Sequence, residues 1–298
     1  MILTDNMKGA LIMALSMALF TLNDVFMKSL AGEVSLYQIL TLRNGAVTLV
    51  LLALAARTGA FRRGLSRRDA GLAVIRGLAE VATAYFFLNA LFNMPLANVT
   101  AVLQSAPLVV MVAAAIFLNE PVGWRRASAV AAGFVGVLLI VRPGPEGFNI
   151  FAIYTLIAVG CITVRDIVTR KLSREAPTFL VTAITSGLVC VAFGLYSVNV
   201  EWVALTPVSG GLILGAVVVI VGAYICSVQA MRVGEVSFVS PFRYTALLWA
   251  LLLGFVVFGD FPAPLTLLGA AIVVGSGLYS FYRELQVTRR AAVPSTRP

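Results

Sequence analysis

Long apolar runs alternate with short polar interruptions from one end of the chain to the other. Runs of about 20 apolar residues, the length that carries a helix across the hydrocarbon core of a bilayer, fall at 9–30, 36–56, 71–92, 96–118, 125–141, 149–169, 178–198, 208–231, 237–258 and 264–282. The connections are short, and no soluble domain fits between them. The pattern predicts an all-α integral membrane protein with ten transmembrane helices. Pro107 and Pro241 stand inside the fourth and ninth runs, where a missing N–H bends or breaks a helix and frees carbonyls to line a cavity. Gly133 and Gly136 in the fifth run, with Gly269, Gly275 and Gly277 in the tenth, read as close helix packing.

The runs also repeat. "TLNDVFMKSL" (Thr21 to Leu30) returns 142 residues later as "TVRDIVTRKL" (Thr163 to Leu172), matching Asp24 to Asp166 and Lys28 to Arg170. A second pair, "FLNEP" (Phe117 to Pro121) and "FGDFP" (Phe258 to Pro262), closes the fourth and ninth runs. Ten runs divide as five plus five, and an odd number per half sends the second half into the membrane upside down. The expected organisation is one five-helix repeat over 1–142, an inverted copy over 143–285 and a cytoplasmic tail over 286–298. Duplicated halves that rock against each other expose a central site to either side in turn, as secondary transporters do.

Composition leaves no alternative to a bilayer. Of the 298 residues, 60% are hydrophobic and 12% charged, too little polar surface for a soluble fold. Only Lys8 precedes the first run, and no small-residue cleavage site follows a short apolar core, so that run is expected to remain as a helix. Cys161, Cys190 and Cys226 lie inside runs, with no spacing for a disulfide or a metal site. Histidine is absent.

The net charge of +9 is distributed by side rather than gathered for a polyanion. Lys8, Arg57, Arg62, Arg63, Arg67, Arg68, Arg125, Arg126, Arg170, Lys171, Arg174, Arg232 and the C-terminal arginines collect on one face, while Lys28 and Arg142 stand on the other. The positive-inside rule then puts both termini in the cytoplasm of a bacterial-type inner membrane. Anionic lipid headgroups become the expected partners of the basic face, and nucleic acid does not.

Two five-span halves, each with an acidic residue and a proline after its fourth span and a glycine-bearing fifth span ("AAGFVGVLLIVRP" and "LLGAAIVVGSGLYS"), resemble the drug/metabolite transporter superfamily in its EamA-domain branch. The resemblance covers nearly the whole chain. Within that branch, "FTLNDVFMK", "IRGL" and "SPFRYTALLWA" are similar to bacterial members that take up S-adenosylmethionine and to riboflavin transporters. Other members export amino acids, so the resemblance implies small-metabolite transport and leaves solute and direction open.

A charged side chain at the bilayer centre costs about 2.5 to 3.5 kcal/mol on insertion scales, so each needs a partner, a wet cavity or a function. Seven are embedded: Asp24, Arg43, Arg76, Glu80, Arg165, Asp166 and Arg243. Full pairing among them leaves one arginine over. Asp24 and Lys28 stand four residues apart, the spacing of a helical ion pair, and Asp166 with Arg170 repeats it. These pairs read either as two gates or as two interfacial anchors. Arg76 and Glu80 share a face continued by Thr83 and Phe87. There Arg76 either snorkels to headgroups or pairs with Glu80, which is placed to face a cavity as a protonatable, coupling group.

Arg43 and Arg243 have no opposite charge one turn away on their own helices. Their partners must come from other helices or from the solute, and a guanidinium fork suits a carboxylate. Tyr85, Phe86, Tyr244 and Trp249, with Asn23, Asn89 and Gln104, offer stacking and amide contacts to a planar or zwitterionic solute, or serve as packing and interfacial belt.

Catalysis lacks its parts: there is no G-x-S-x-G or H-E-x-x-H, and the topology sends Asp24 and Asp166 to opposite faces. No phosphate-binding glycine loop is present, so neither ATP nor another cofactor is expected. The alternatives are an amino acid or metabolite exporter of the same fold, a passive channel, for which there is no recognisable filter sequence, and last an intramembrane enzyme. The expectation is a secondary carrier for a small polar organic metabolite. Arg43, Arg243, Tyr244, Trp249, Tyr85, Asn23 and Gln104 are its candidate solute contacts, with Asp24, Lys28, Arg76, Glu80 and Asp166 for gating or proton coupling.

Overall fold

A computed structural model of the protein describes residues 5–117, 124–141, 149–173, 175–233 and 239–291. Glu120, Arg142, Arg174 and Arg297 lie outside these residues, and so does the side chain of Arg170. The described residues are helical and contain no strand. In chain order the helices are α1 (Asp5–Ser29), α2 (Leu36–Arg57), the short α3 (Ala60–Arg63), α4 (Arg67–Asn93), α5 (Leu96–Leu103), α6 (Ala106–Phe117), α7 (Trp124–Val141), α8 (Ile150–Arg170), α9 (Thr178–Ser197), α10 (Pro207–Val233), α11 (Thr245–Phe258) and α12 (Pro264–Ala291). A 3-10 turn, Ser240–Tyr244, leads into α11.

Among the described residues, eight segments are long and apolar enough to cross a membrane. Among them are Leu96–Ala113, which joins α5 to α6, and Pro241–Phe258, which joins the 3-10 turn to α11. The fifth and tenth expected spans fall on α7 and α12, whose apolar stretches, Ala127–Val141 and Pro264–Tyr279, are shorter. Leu49, Ile116, Leu214, Val218, Leu248 and Val256 are exposed on the outside of the bundle. In water such a surface would aggregate, whereas in lipid it is the surface a bilayer requires.

Local chemistry sets the helix ends. Ser35 caps α2 by accepting from the Gln38 N–H at 3.2 Å, Ser66 caps α4 through the Asp69 N–H at 3.0 Å, and Asn149 caps α8 through the Phe151 N–H. Gly259 closes α11 in the left-handed region at φ 69°, a conformation that favours glycine. Within the helices, Thr21, Thr41, Asn44, Thr48, Thr83, Thr155, Thr163 and Thr185 each donate to the carbonyl four residues back. Polar side chains thereby cross an apolar medium with their hydrogen bonds satisfied on their own helix.

Both proline-bearing spans are broken as the sequence predicts. The fourth breaks at Gln104 and Ser105, where the Ser105 hydroxyl donates to the Val102 carbonyl at 2.7 Å, and α6 starts afresh with Pro107 in its first turn. The ninth breaks in the 3-10 turn that contains Pro241.

The strongest packing joins α1 to α10, α2 to α9, α4 to α8 and α7 to α12, each pair taking one helix from either half of the chain. Val25, Met27, Leu30, Ile39, Leu40, Leu88, Leu91, Leu96, Val189, Phe193, Ile213, Ala216 and Ala250 form the largest buried cluster, drawn from both halves. At the α7–α12 contact, a Cβ on Gly136 would stand 2.7 Å from the Gly269 carbonyl oxygen, and one on Gly269 would stand 2.6 Å from that of Gly136. The two backbones approach as only glycine allows. Gly133 faces Leu108 and Ser276, and Gly277 faces the Tyr244 hydroxyl, but Gly275 meets no neighbour and has no packing role of this kind.

Candidate functional site

Five helices bring polar side chains to one cleft: Arg43 and Asn44 from α2, Arg76 and Glu80 from α4, Thr182, Thr185 and Ser186 from α9, Tyr224 from α10, and Arg165 from α8, which reaches Glu80. Arg165 is the hub. Its Nη1 donates to Glu80 Oε2 at 3.0 Å and its Nε to Asp166 Oδ1 at 3.0 Å, so one guanidinium serves two carboxylates. Arg76 donates from Nε to the Thr169 hydroxyl at 3.0 Å and from Nη1 to the Thr185 hydroxyl.

The expected Arg76–Glu80 pair is therefore replaced. Arg165 reaches across from α8 to take the carboxylate, while Arg76 directs its donors to hydroxyls on α8 and α9. Arg76 and Arg43 both remain within electrostatic range of Glu80.

The Asp24–Lys28 pair does not form either. Asp24 accepts from Asn23 Nδ2 at 3.0 Å and has Arg43 within electrostatic range. Lys28, one turn on, leaves it for the end of the bundle. There it donates to the Met94 carbonyl, stands 3.9 Å from Asp260 Oδ2 and lies 5.3 Å from the centre of the Phe258 ring. A carbonyl beyond the last turn of a helix has no partner in its own helix, and with a carboxylate and a ring face beside it this position outcompetes a one-turn neighbour. In the matching segment Asp166 turns to Arg165.

Arg43 and Arg243 remain without a carboxylate. Among the described residues neither has an ion-pair partner, and Arg43 Nε is sealed from solvent with no acceptor. Arg243, in the 3-10 turn, is accessible, with Asp166 and Arg165 in electrostatic range. The two broken spans meet at this point, for Gln104 Nε2 donates to the Arg243 carbonyl at 3.4 Å. Arg43 thus flanks the Glu80 end of the bridge and Arg243 the Asp166 end.

The other candidates divide. Tyr85 belongs to an aromatic group with Phe86 at 5.3 Å and Tyr154 at 6.5 Å. Tyr244 packs its hydroxyl onto α12 at Gly277. Trp249 donates from Nε1 to the Ala14 carbonyl at 3.2 Å and packs against the buried cluster that contains Met13 and Met17, which makes it a tie between α11 and α1. Asn23 serves Asp24, and Asn89 donates to the Tyr85 carbonyl.

Sequence reasoning passed over Tyr224, which stands edge-on to Phe20 at 5.3 Å and within range of Arg43, Glu80, Arg165 and Arg76. A lone phenol in an otherwise apolar run was its available signal. Thr169, Thr185, and the Ser186 hydroxyl that donates to the Asn44 carbonyl at 3.1 Å, carried none.

As the helices stand, the cleft holds about 20 Å³ of free volume, room for a water and not for a metabolite. A larger cavity of about 250 Å³ lies among Leu108, Phe134, Val137, Leu156 and Val159, and its lining is apolar.

A bundle of lipid-facing helices around a charged cleft is the architecture of a polytopic membrane protein. Residues 7–142 match the EamA-like transporter family. The S-adenosylmethionine uptake transporter of Rickettsia conorii is 26% identical, over 93% of this chain and 93% of its own length. The riboflavin transporter of Vibrio cholerae is 28% identical, over 82% and 83%. A solved crystal structure at 18% identity superposes with a TM-score of 0.65 over 96% of this chain and 99% of its own, a likeness of fold. The chain is a multi-pass membrane protein that is similar over most of its length to metabolite transporters rather than to enzymes, and its residues 7–142 match a transporter family.

Proposed function

We propose that the protein is a secondary carrier that moves a small polar organic metabolite across a bacterial inner membrane by alternating access between two inverted five-helix halves. The observation that carries this reading is the pair of arginines without carboxylates, Arg43 and Arg243, at the two ends of the Glu80–Arg165–Asp166 bridge. Embedded cations left without an anion are stable only where a wet cavity or an anionic solute completes them.

The helix pairing supports two related halves. With ten spans, exchanging the first five for the last five turns α1·α10 into α8·α4, and returns α2·α9 and α7·α12 to themselves; all four are the principal contacts. The broken fourth and ninth spans meeting at Gln104 and Arg243 follow the same exchange, and discontinuous helices at the contact between repeats are where carriers build their sites. The basic residues on one face support cytoplasmic termini.

In this mechanism Arg43 and Arg243 orient the anionic group of the solute and Tyr85 with its aromatic neighbours takes an apolar part. Lys28, held by Asp260 and the Met94 carbonyl, closes the outer side. Asp24 or Glu80 carries the coupling proton. The 20 Å³ cleft corresponds to a closed arrangement that must widen to load.

The names of the relatives supply two of the first solutes to try, S-adenosylmethionine and riboflavin, and amino acids are a third class. Purified protein in vesicles should take up S-adenosylmethionine, riboflavin or an amino acid with saturation and with trans-stimulation by unlabelled solute, which a channel lacks. Unchanged transport in Arg43→Ala and Arg243→Ala proteins that are folded and inserted would overturn the site assignment.

A further inference from the structure

The charge balance of the cleft goes beyond the presence of an anion subsite. From it we infer that the site selects solutes by net charge, and that the transported class is an organic anion rather than a cation. The inference rests on the carrier reading above and names its solute class.

Four embedded arginines, Arg43, Arg76, Arg165 and Arg243, face three embedded carboxylates, Asp24, Glu80 and Asp166. Two of the three carboxylates are held in ion pairs. Glu80 and Asp166 share Arg165, and Asp24 accepts from Asn23 with Arg43 in range. Arg76 places two donors on threonine hydroxyls, which satisfy its hydrogen bonds without cancelling its charge. Arg43 keeps a sealed Nε with no acceptor, and Arg243 has in range Asp166, which is already bonded to Arg165, and Arg165 itself.

An arriving cation therefore finds one carboxylate outside an ion pair, Asp24, against three arginines outside one, Arg43, Arg76 and Arg243, and so a surplus of positive charge. An anion finds donors at either end of the bridge, each able to offer two parallel hydrogen bonds. Protonation of Asp24 or Glu80 would only enlarge the surplus, so the selectivity does not depend on which group couples protons. The consequence is specific, because S-adenosylmethionine carries a net positive charge and riboflavin is neutral. On this chain's own residues neither is the best match, whatever is carried by the relatives named for them.

Matched ligands that differ in charge test this on the full-length protein in detergent, by thermal shift and equilibrium binding. The pairs are riboflavin with flavin mononucleotide, S-adenosylmethionine with S-adenosylhomocysteine, and glutamine with glutamate. The more negative member should bind about tenfold tighter or better in at least one pair, the factor expected for one well-made charged contact. That preference should vanish in Arg43→Gln or Arg243→Gln and partly return in the Arg→Lys variants, which also guards against a variant that fails to fold.

Equal or tighter binding of the neutral or cationic member in every pair, or a preference that survives both glutamine variants, overturns the inference. Saturable vesicle uptake of riboflavin or S-adenosylmethionine would in that event leave the carrier standing without its anion selectivity. No binding and no uptake of any of the six would remove both.

Discussion

Glu80 and Arg165 lie 85 residues apart in sequence and 3.0 Å apart in space. Glu80→Gln should leave Arg165 with only Asp166 and lower stability by roughly 1.5 to 3 kcal/mol, the usual worth of a hydrogen bond to a charged group. A Tm series in detergent checks this, and Glu80→Gln combined with Arg165→Gln should lose less than the sum of the single changes, as neighbours in one network do. The pair also shows what the sequence discloses at this scale. That Arg43 and Arg243 lack a partner was legible, because no opposite charge sits one turn away on either helix. That Asp24 leaves Lys28, and Arg76 leaves Glu80, was not. Spacing along one helix tells which groups can meet, whereas the neighbouring helices decide which do, and Arg165, Thr185 and Met94 arrive from elsewhere in the chain.

Among the elements, the breaks were legible and the pairings were not. Pro107 and Pro241 announce discontinuous spans through a missing donor, but nothing local says that Gln104 will donate to the carbonyl of Arg243. Gly136 and Gly269 advertise close packing without naming each other. Gly136→Val should force α7 off α12 and cost about 1 to 3 kcal/mol as an overpacked contact, read as a lowered Tm, whereas Gly275→Ala, with open space around it, should leave Tm unchanged. At the end of α1, Lys28→Cys and Asp260→Cys joined by a short reducible linker should halt transport and regain it on reduction. Transport that persists through the cross-link would mean that this contact does not have to open.

For the whole molecule, apolar periodicity and the distribution of arginines were enough to anticipate a polytopic bundle, since lipid constrains a spanning segment far more tightly than water constrains a soluble one. The interleaving of the two halves was hidden, because helix pairing depends on shape and not on hydropathy. Tags at both termini should be reached only from the cytoplasmic side in sealed cells, and a tag exposed on the outer side would invert the topology.

α4 is tied at both of its ends by unlike bonds. At its start the carboxylate of Asp69, 5% exposed, accepts from the Ser173 N–H at 3.0 Å, the Ser173 hydroxyl at 2.9 Å and the Ser66 hydroxyl at 2.8 Å. Beyond its end, Lys28 is held partly by a carboxylate 3.9 Å away that is itself 38% exposed. Mobile ions screen the second tie and scarcely touch the first. Raising salt on the Lys28 side alone should speed loading from that side, with little response to salt on the other, in sided flux measurements on sealed vesicles. One lysine and one buried aspartate would then make the protein a rectifier whose bias is set by the salinity on the Lys28 side.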